Sequence, residues 1–197
     1  MKMKWLCGAL AAVVIGYAGL SGWVIASQDV HELLVCASDG GLRIPAARSL
    51  CRRWLFAFRG TPTDVAALQA GGGANFILNQ GPWSARMREE LAFFHARGLD
   101  LDPPDEAGVT PLQSAVLDAS ADKVAWLLAA GADPNASGPR LARTPLQLAL
   151  ELAAAGRLEA DGELIARLRT ASGATSAHPR AVPARLAPAS PSPSPAA

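Results

Sequence analysis

The sequence predicts an all-α fold, a short stack of helix pairs over residues 45–175, and three observations predict it. First, Gly108-Val109-Thr110-Pro111-Leu112-Gln113-Ser114-Ala115 recurs as Leu141-Ala142-Arg143-Thr144-Pro145-Leu146-Gln147-Leu148-Ala149, with the two threonines 34 residues apart. Second, the segment between them, Asp122 to Ala130, reads as an apolar-faced helix and ends in Gly131-Ala132-Asp133-Pro134-Asn135. Third, helix-then-glycine endings recur near residues 73, 98, 131 and 173. A unit repeated at this period is one supersecondary element that must bury its apolar face on a neighbour.

Each part of the repeated segment has a physical role. Thr110 and Thr144 suit the N-cap of a helix, where a hydroxyl accepts an otherwise unpaired backbone N–H. Pro111 and Pro145 then fall on the first helical position, where a missing donor costs nothing. Leu112, Ala115 and Val116 share one face and are expected in the core, as is Leu146 in the second copy. Ala115 and Ala149 are small where two helices approach. Gly98 and Gly131 sit just past a helix end, where a left-handed residue closes the turn.

Thr-Pro-Leu-x-x-Ala followed 21 residues later by Gly-Ala-Asp-x-Asn resembles the ankyrin repeat. The resemblance is sharp over residues 105–150 and looser on both sides. Upstream, Glu89 to Asp100 reads as a second helix and exit turn, preceded by a short first helix around Pro82–Arg88. Before that, Cys51–Phe58 and Thr63–Gly71 read as another pair, ending in Gly71-Gly72-Gly73-Ala74-Asn75. Downstream, a second helix near Asp161–Thr170 closes on Ser172-Gly173-Ala174. The resemblance therefore implies a solenoid of about four degenerate helix pairs. In the family a His follows Pro-Leu and bridges neighbouring repeats; Gln113 and Gln147 stand there, and an amide can both donate and accept.

Residues 1–27 predict a membrane anchor. Lys2 and Lys4 precede an uncharged run from Trp5 to Ala26, which as a helix spans roughly 33 Å, about one bilayer core. Trp5 and Trp23 occupy positions for interfacial rings. Cleavage before Ser27, after Val24-Ile25-Ala26, is the alternative, giving a secreted or periplasmic product. The lysines lie before the run and Asp29 and Glu32 after it, so the positive-inside rule leaves the remainder outside the cytoplasm. Residues 28–44 read as a linker or N-terminal cap, and residues 176–197, dense in Pro, Ala and Ser, as a disordered tail. In an oxidising compartment Cys36 and Cys51 are natural disulfide partners, two buried free thiols being the alternative.

Formal charge is +1, with 18 basic against 17 acidic residues, so no global field points to nucleic acid. No Gly-x-Ser-x-Gly, phosphate-binding loop or His-Glu-x-x-His is present. His31, His95 and His178 are scattered, and nothing suggests a cofactor, a metal or a small-molecule substrate. The proline pair Pro103-Pro104 interrupts the acidic run Asp100, Asp102, Asp105, Glu106 and spoils a calcium-loop register.

What remains is binding. Stacks of this family grip another protein with the connections between repeats and with their first helices. Here one connection is acidic, at Asp100, Asp102, Asp105 and Glu106, and the next carries Arg140 and Arg143. Asp118 and Glu151 are expected late on first helices, near the same side. Neighbouring connections of opposite sign would orient a protein partner. The layout resembles small exported bacterial ankyrin proteins, which implies an immunity-type inhibitor of a secreted effector; an envelope scaffold or stress-protection protein without a dedicated toxin is the alternative.

Overall fold

The computed structural model describes residues 29–38, 45–159 and 162–177, and within them the chain is all-helical. Nine helices follow in order: α1 (Val30–Ala37), α2 (Pro45–Phe58), α3 (Pro62–Ala70), α4 (Gly73–Leu78), α5 (Ala85–His95), α6 (Pro111–Leu117), α7 (Ala121–Ala129), α8 (Pro145–Ala154) and α9 (Glu163–Ala177). The predicted anchor, residues 1–27, lies outside the described residues, as does the tail beyond Ala177. Among the described residues no helix is long and apolar enough to cross a membrane.

The short helices are fixed by their starts. Thr110 Oγ1 accepts from the Gln113 N–H at 3.2 Å, and Gln113 Oε1 returns the bond by accepting from the Thr110 N–H at 2.9 Å. Thr144 and Gln147 repeat this reciprocal cap, and Thr61 with Asp64 forms a third at the start of α3. A seven-residue helix such as α6 cannot hold its shape in water unaided, so the cap and the packed face do the work. The ends are matched as well. After α5, Gly98 at φ +104° lets the Leu99 N–H reach Phe94 O at 3.0 Å; after α7, Gly131 at φ +95° lets Ala132 reach Leu127 O at 3.0 Å. A side chain is strained in that left-handed region, which is why glycine punctuates both.

Packing joins α4 to α5, α6 to α7 and α8 to α9 as pairs. The leading helices α4, α6 and α8 touch in succession, and α9 also rests on α7. One contiguous apolar core runs from Val30 to Leu168, with Leu91, Phe94, Ala115, Val116, Leu127 and Ala149 fully buried. Each buried leucine contributes roughly 1.5–3 kcal/mol relative to exposure.

The leading end departs from expectation in three ways. Residues 28–44, expected as linker or cap, contain α1, whose Val30, Leu33, Leu34 and Ala37 are all core. The expected pairing of 51–58 with 63–71 is replaced: α2 packs on α1, joined to it by the Cys36–Cys51 disulfide (Cα–Cα 6.0 Å), while α3 packs on α1 and α4. And Gly71–Asn75 is the start of a helix as well as an exit. Gly72 at φ +106° turns the chain, and α4 starts at Gly73, so the first helix expected around Pro82–Arg88 lies earlier and residues 79–84 are the turn. At the far end α9 runs through Gly173 to Ala177, past the expected closure and into the stretch assigned to the tail.

Candidate protein-docking surface

The connections 99–110 and 132–144 are laced to each other through backbone groups. Asp102 Oδ1 accepts from the Asp133 N–H at 2.6 Å, and the Arg140 N–H donates to Gly108 O at 3.1 Å. Gly138 sits so close to Gly108 O that a Cβ there would lie 2.2 Å from it. Only a glycine permits that approach.

Beneath the connections lies a recurring tie between successive pairs. Asn75 Nδ2, on α4, donates to Val109 O at 2.7 Å. Gln113 Nε2, on α6, donates to Arg143 O at 2.7 Å. Asn75 and Gln113 hold the same third position of their helices, and Val109 and Arg143 are the residues just before the next pair's Thr110 and Thr144. Gln113 is fully buried, and its Oε1 also accepts from the Gly138 N–H at 3.2 Å. One amide thus caps its own helix, holds the next pair and pins the connection between them.

The structure sorts the sequence-predicted residues. Three of the four acidic residues serve the fold. Asp100 Oδ1 accepts from the Asp102 N–H at 3.1 Å, a local turn repeated where Asp133 Oδ1 accepts from the Asn135 N–H at 2.9 Å. Asp102 bridges to the next connection as above. Asp105 Oδ1 accepts from the Val109 N–H at 3.0 Å and its Oδ2 from Asn75 Nδ2 at 3.2 Å. Glu106 is exposed. Of the bases, Arg143 is paired with Glu151 on α8, whereas Arg140 is exposed on the connection bonded to Gly108, two residues from Glu106. Asp118 pairs with Lys123 Nζ at 2.6 Å, and that buried ammonium also donates to Leu78 O at 3.2 Å. Thr110, Pro111, Leu112, Thr144, Pro145, Gly131 and Ala132 act as caps, core and turn as described, and Leu146 is half-buried against the core. Asp100, Asp118, Arg143 and Glu151 are exposed as well but engaged within the chain, so the surface is carried by Glu106 and Arg140 on adjacent connections, with Leu117 and Leu150 exposing 41% and 40% on α6 and α8.

Among titrating groups Asp64 stands out. Burial opposes its charge, yet the Thr61 hydroxyl and N–H, the Arg59 guanidinium at 3.1 Å and the Gly60 N–H together hold its carboxyl below the ordinary aspartate range. It caps α3. Among the described residues no three His, Cys, Asp or Glu side chains are grouped to share a metal.

A second feature was not predicted from sequence. An open groove of about 840 Å³ between α2 and α5 is lined by Arg48, Arg52, Arg53, Arg86 and Glu89. Arg52 pairs with Glu89 and lies 5.4 Å from the Phe56 ring, and Arg86 Nη1 donates to Ala37 O at 2.7 Å. The spacing of Arg48, Arg52 and Arg53 was visible, but Arg86 joins them only through folding. Compared with known families, curated proteins and solved structures, the chain finds no match.

Proposed function

We propose that this chain is a non-catalytic, protein-binding module of ankyrin type, held outside the cytoplasm by an anchor at residues 5–26. The observation that carries the ankyrin reading is the repeated tie, Asn75 to Val109 and Gln113 to Arg143, made from the same helix position in successive pairs. It does with an amide what the family's histidine does between repeats. A stack tied in this way offers a surface that keeps its shape, and rigid presentation lowers the ordering cost of gripping a partner. Glu106 and Arg140 give the rim two signs; Leu117 and Leu150 give it apolar area.

The partner class follows from the resemblance: a secreted effector that the module inhibits. The test is affinity capture with the full chain, extracted from membranes, comparing the native protein with a Glu106→Arg/Arg140→Glu double variant. The reading expects one envelope or secreted protein in near-equal amount with the native chain and its loss with the variant. Capture of many proteins in small amounts by both chains would instead favour an envelope scaffold.

A further inference from the structure

Among the described helices, α2 carries the two most exposed large apolar side chains. Leu50, Trp54 and Phe58 recur at four-residue spacing and so form one stripe. Leu50 is 47% and Phe58 62% exposed, the two most exposed large apolar residues described, and Trp54 stacks on Phe58 at 4.4 Å between centroids. Next to the stripe, three residues from Leu50, the same helix carries the exposed Arg53, whereas Arg48 and Arg52 are turned toward the groove with α5. Cys51 and Leu55 face the core, and Trp54 is half-buried against its edge. Aromatic and aliphatic residues along one side with an arginine beside them suit a helix that lies in the headgroup layer of a bilayer.

Chain continuity says which surface is within reach. Only Ser27 and Gln28 separate the uncharged run ending at Ala26 from Asp29, the N-cap of α1. Three residue steps extend at most about 11 Å. Helix α2 is packed on α1 and bonded to it through Cys36–Cys51, so it cannot be carried away from that point without the whole domain.

We infer that α2 docks on the anionic phospholipid headgroups of the membrane that residues 5–26 enter, with Leu50, Trp54 and Phe58 seated at the interface and Arg53 beside lipid phosphates. This rests on the anchor proposed above. It fixes the orientation of the stack: the disulfide-bonded first pair lies on the bilayer, and the connections bearing Glu106 and Arg140 belong to pairs stacked beyond it. Arginine suits phosphate because its planar fork donates two parallel hydrogen bonds.

The experiment reconstitutes the full chain into vesicles of phosphatidylcholine with or without phosphatidylglycerol, using lipids brominated near the headgroup end of the acyl chain. Tryptophan emission is compared, in a chain whose Trp83 and Trp126 are replaced by Phe, with and without Trp54→Phe, so that the difference reports Trp54 and the remainder reports Trp5 and Trp23. The expected result is quenching of Trp54 that is stronger with phosphatidylglycerol, weakens at raised salt and is lost in Phe58→Asp, whose helical circular dichroism stays native because the ring is exposed. Trp5 and Trp23 remain quenched throughout. Quenching of Trp5 and Trp23 with Trp54 unaffected overturns this inference and leaves the anchor standing. Loss of quenching at all three overturns both. Trp54 shielded from lipid, together with self-association abolished by Phe58→Asp, overturns it in favour of a second copy covering the stripe.

Discussion

Gln113 ties three separate segments of the described chain together. Its amide makes three hydrogen bonds to backbone groups of Thr110, Gly138 and Arg143 from a fully buried position. Replacing it with Ala leaves those groups without partners and is expected to cost about 2–4 kcal/mol. Urea unfolding should show a lower midpoint with an unchanged slope. Gln113→His, able to donate and accept in the same place, should recover a substantial part. Asp64 gives a pH signature. Its folded pKa lies below the ordinary value of 3.8, so its contribution is complete above that value and is lost as pH falls through the folded pKa. The stability difference between native protein and Asp64→Asn should therefore be full near neutrality and shrink toward zero in acid. A difference that grows as pH falls would refute the assignment. At this scale the sequence was informative about caps and poor about acids. Thr110 and Thr144 could be placed from a local pattern, whereas Asp102 takes a partner 31 positions away and Asp105 one of its two from 30 positions away, which no local pattern reveals.

At the scale of elements, the first pair depends on its covalent link. Cys36–Cys51 closes a 15-residue separation and joins α1 to α2. On the chain-entropy account the bridge contributes about 3 kcal/mol. Reduction is expected to lower the unfolding midpoint and to speed amide exchange in α1 and α2 before α6 and α8, followed by mass spectrometry on peptides from each. Uniform acceleration across all helices would mean that the pairs do not open separately. The crisp helices α6 and α8 were legible because Thr-Pro and an apolar face agree within one short window. Helix α4 was not, because a glycine cap and a glycine first residue look like a turn until Asn75 is seen reaching Val109. Helix α1 was missed for a different reason: its eight residues follow a long apolar run and precede Gly40-Gly41, so its buried face reads as a continuation of a linker.

At the scale of the molecule, helix pairs succeed one another in sequence order, so most contacts are between neighbours and each pair lends its face to the next. The all-α class was legible from periodicity, and so were the connections that carry Glu106 and Arg140, whose limits the glycines and threonines mark. Which of these charges are engaged within the chain was not legible, because Asp102 and Asp105 each take a partner about thirty residues away that only the stacked arrangement supplies. The arginine groove between α2 and α5 likewise exists only once two distant helices meet. The measurement that bears most directly on protein binding is photo-crosslinking in living cells, with a photoreactive residue placed singly at Glu106, Leu117 and Arg140, and at Arg157, exposed on the turn between α8 and α9, as a comparison. The account predicts that the three rim positions join the chain to the same envelope or secreted protein and that Arg157 does not. No adduct from any rim position, or the same adduct from Arg157, would contradict it.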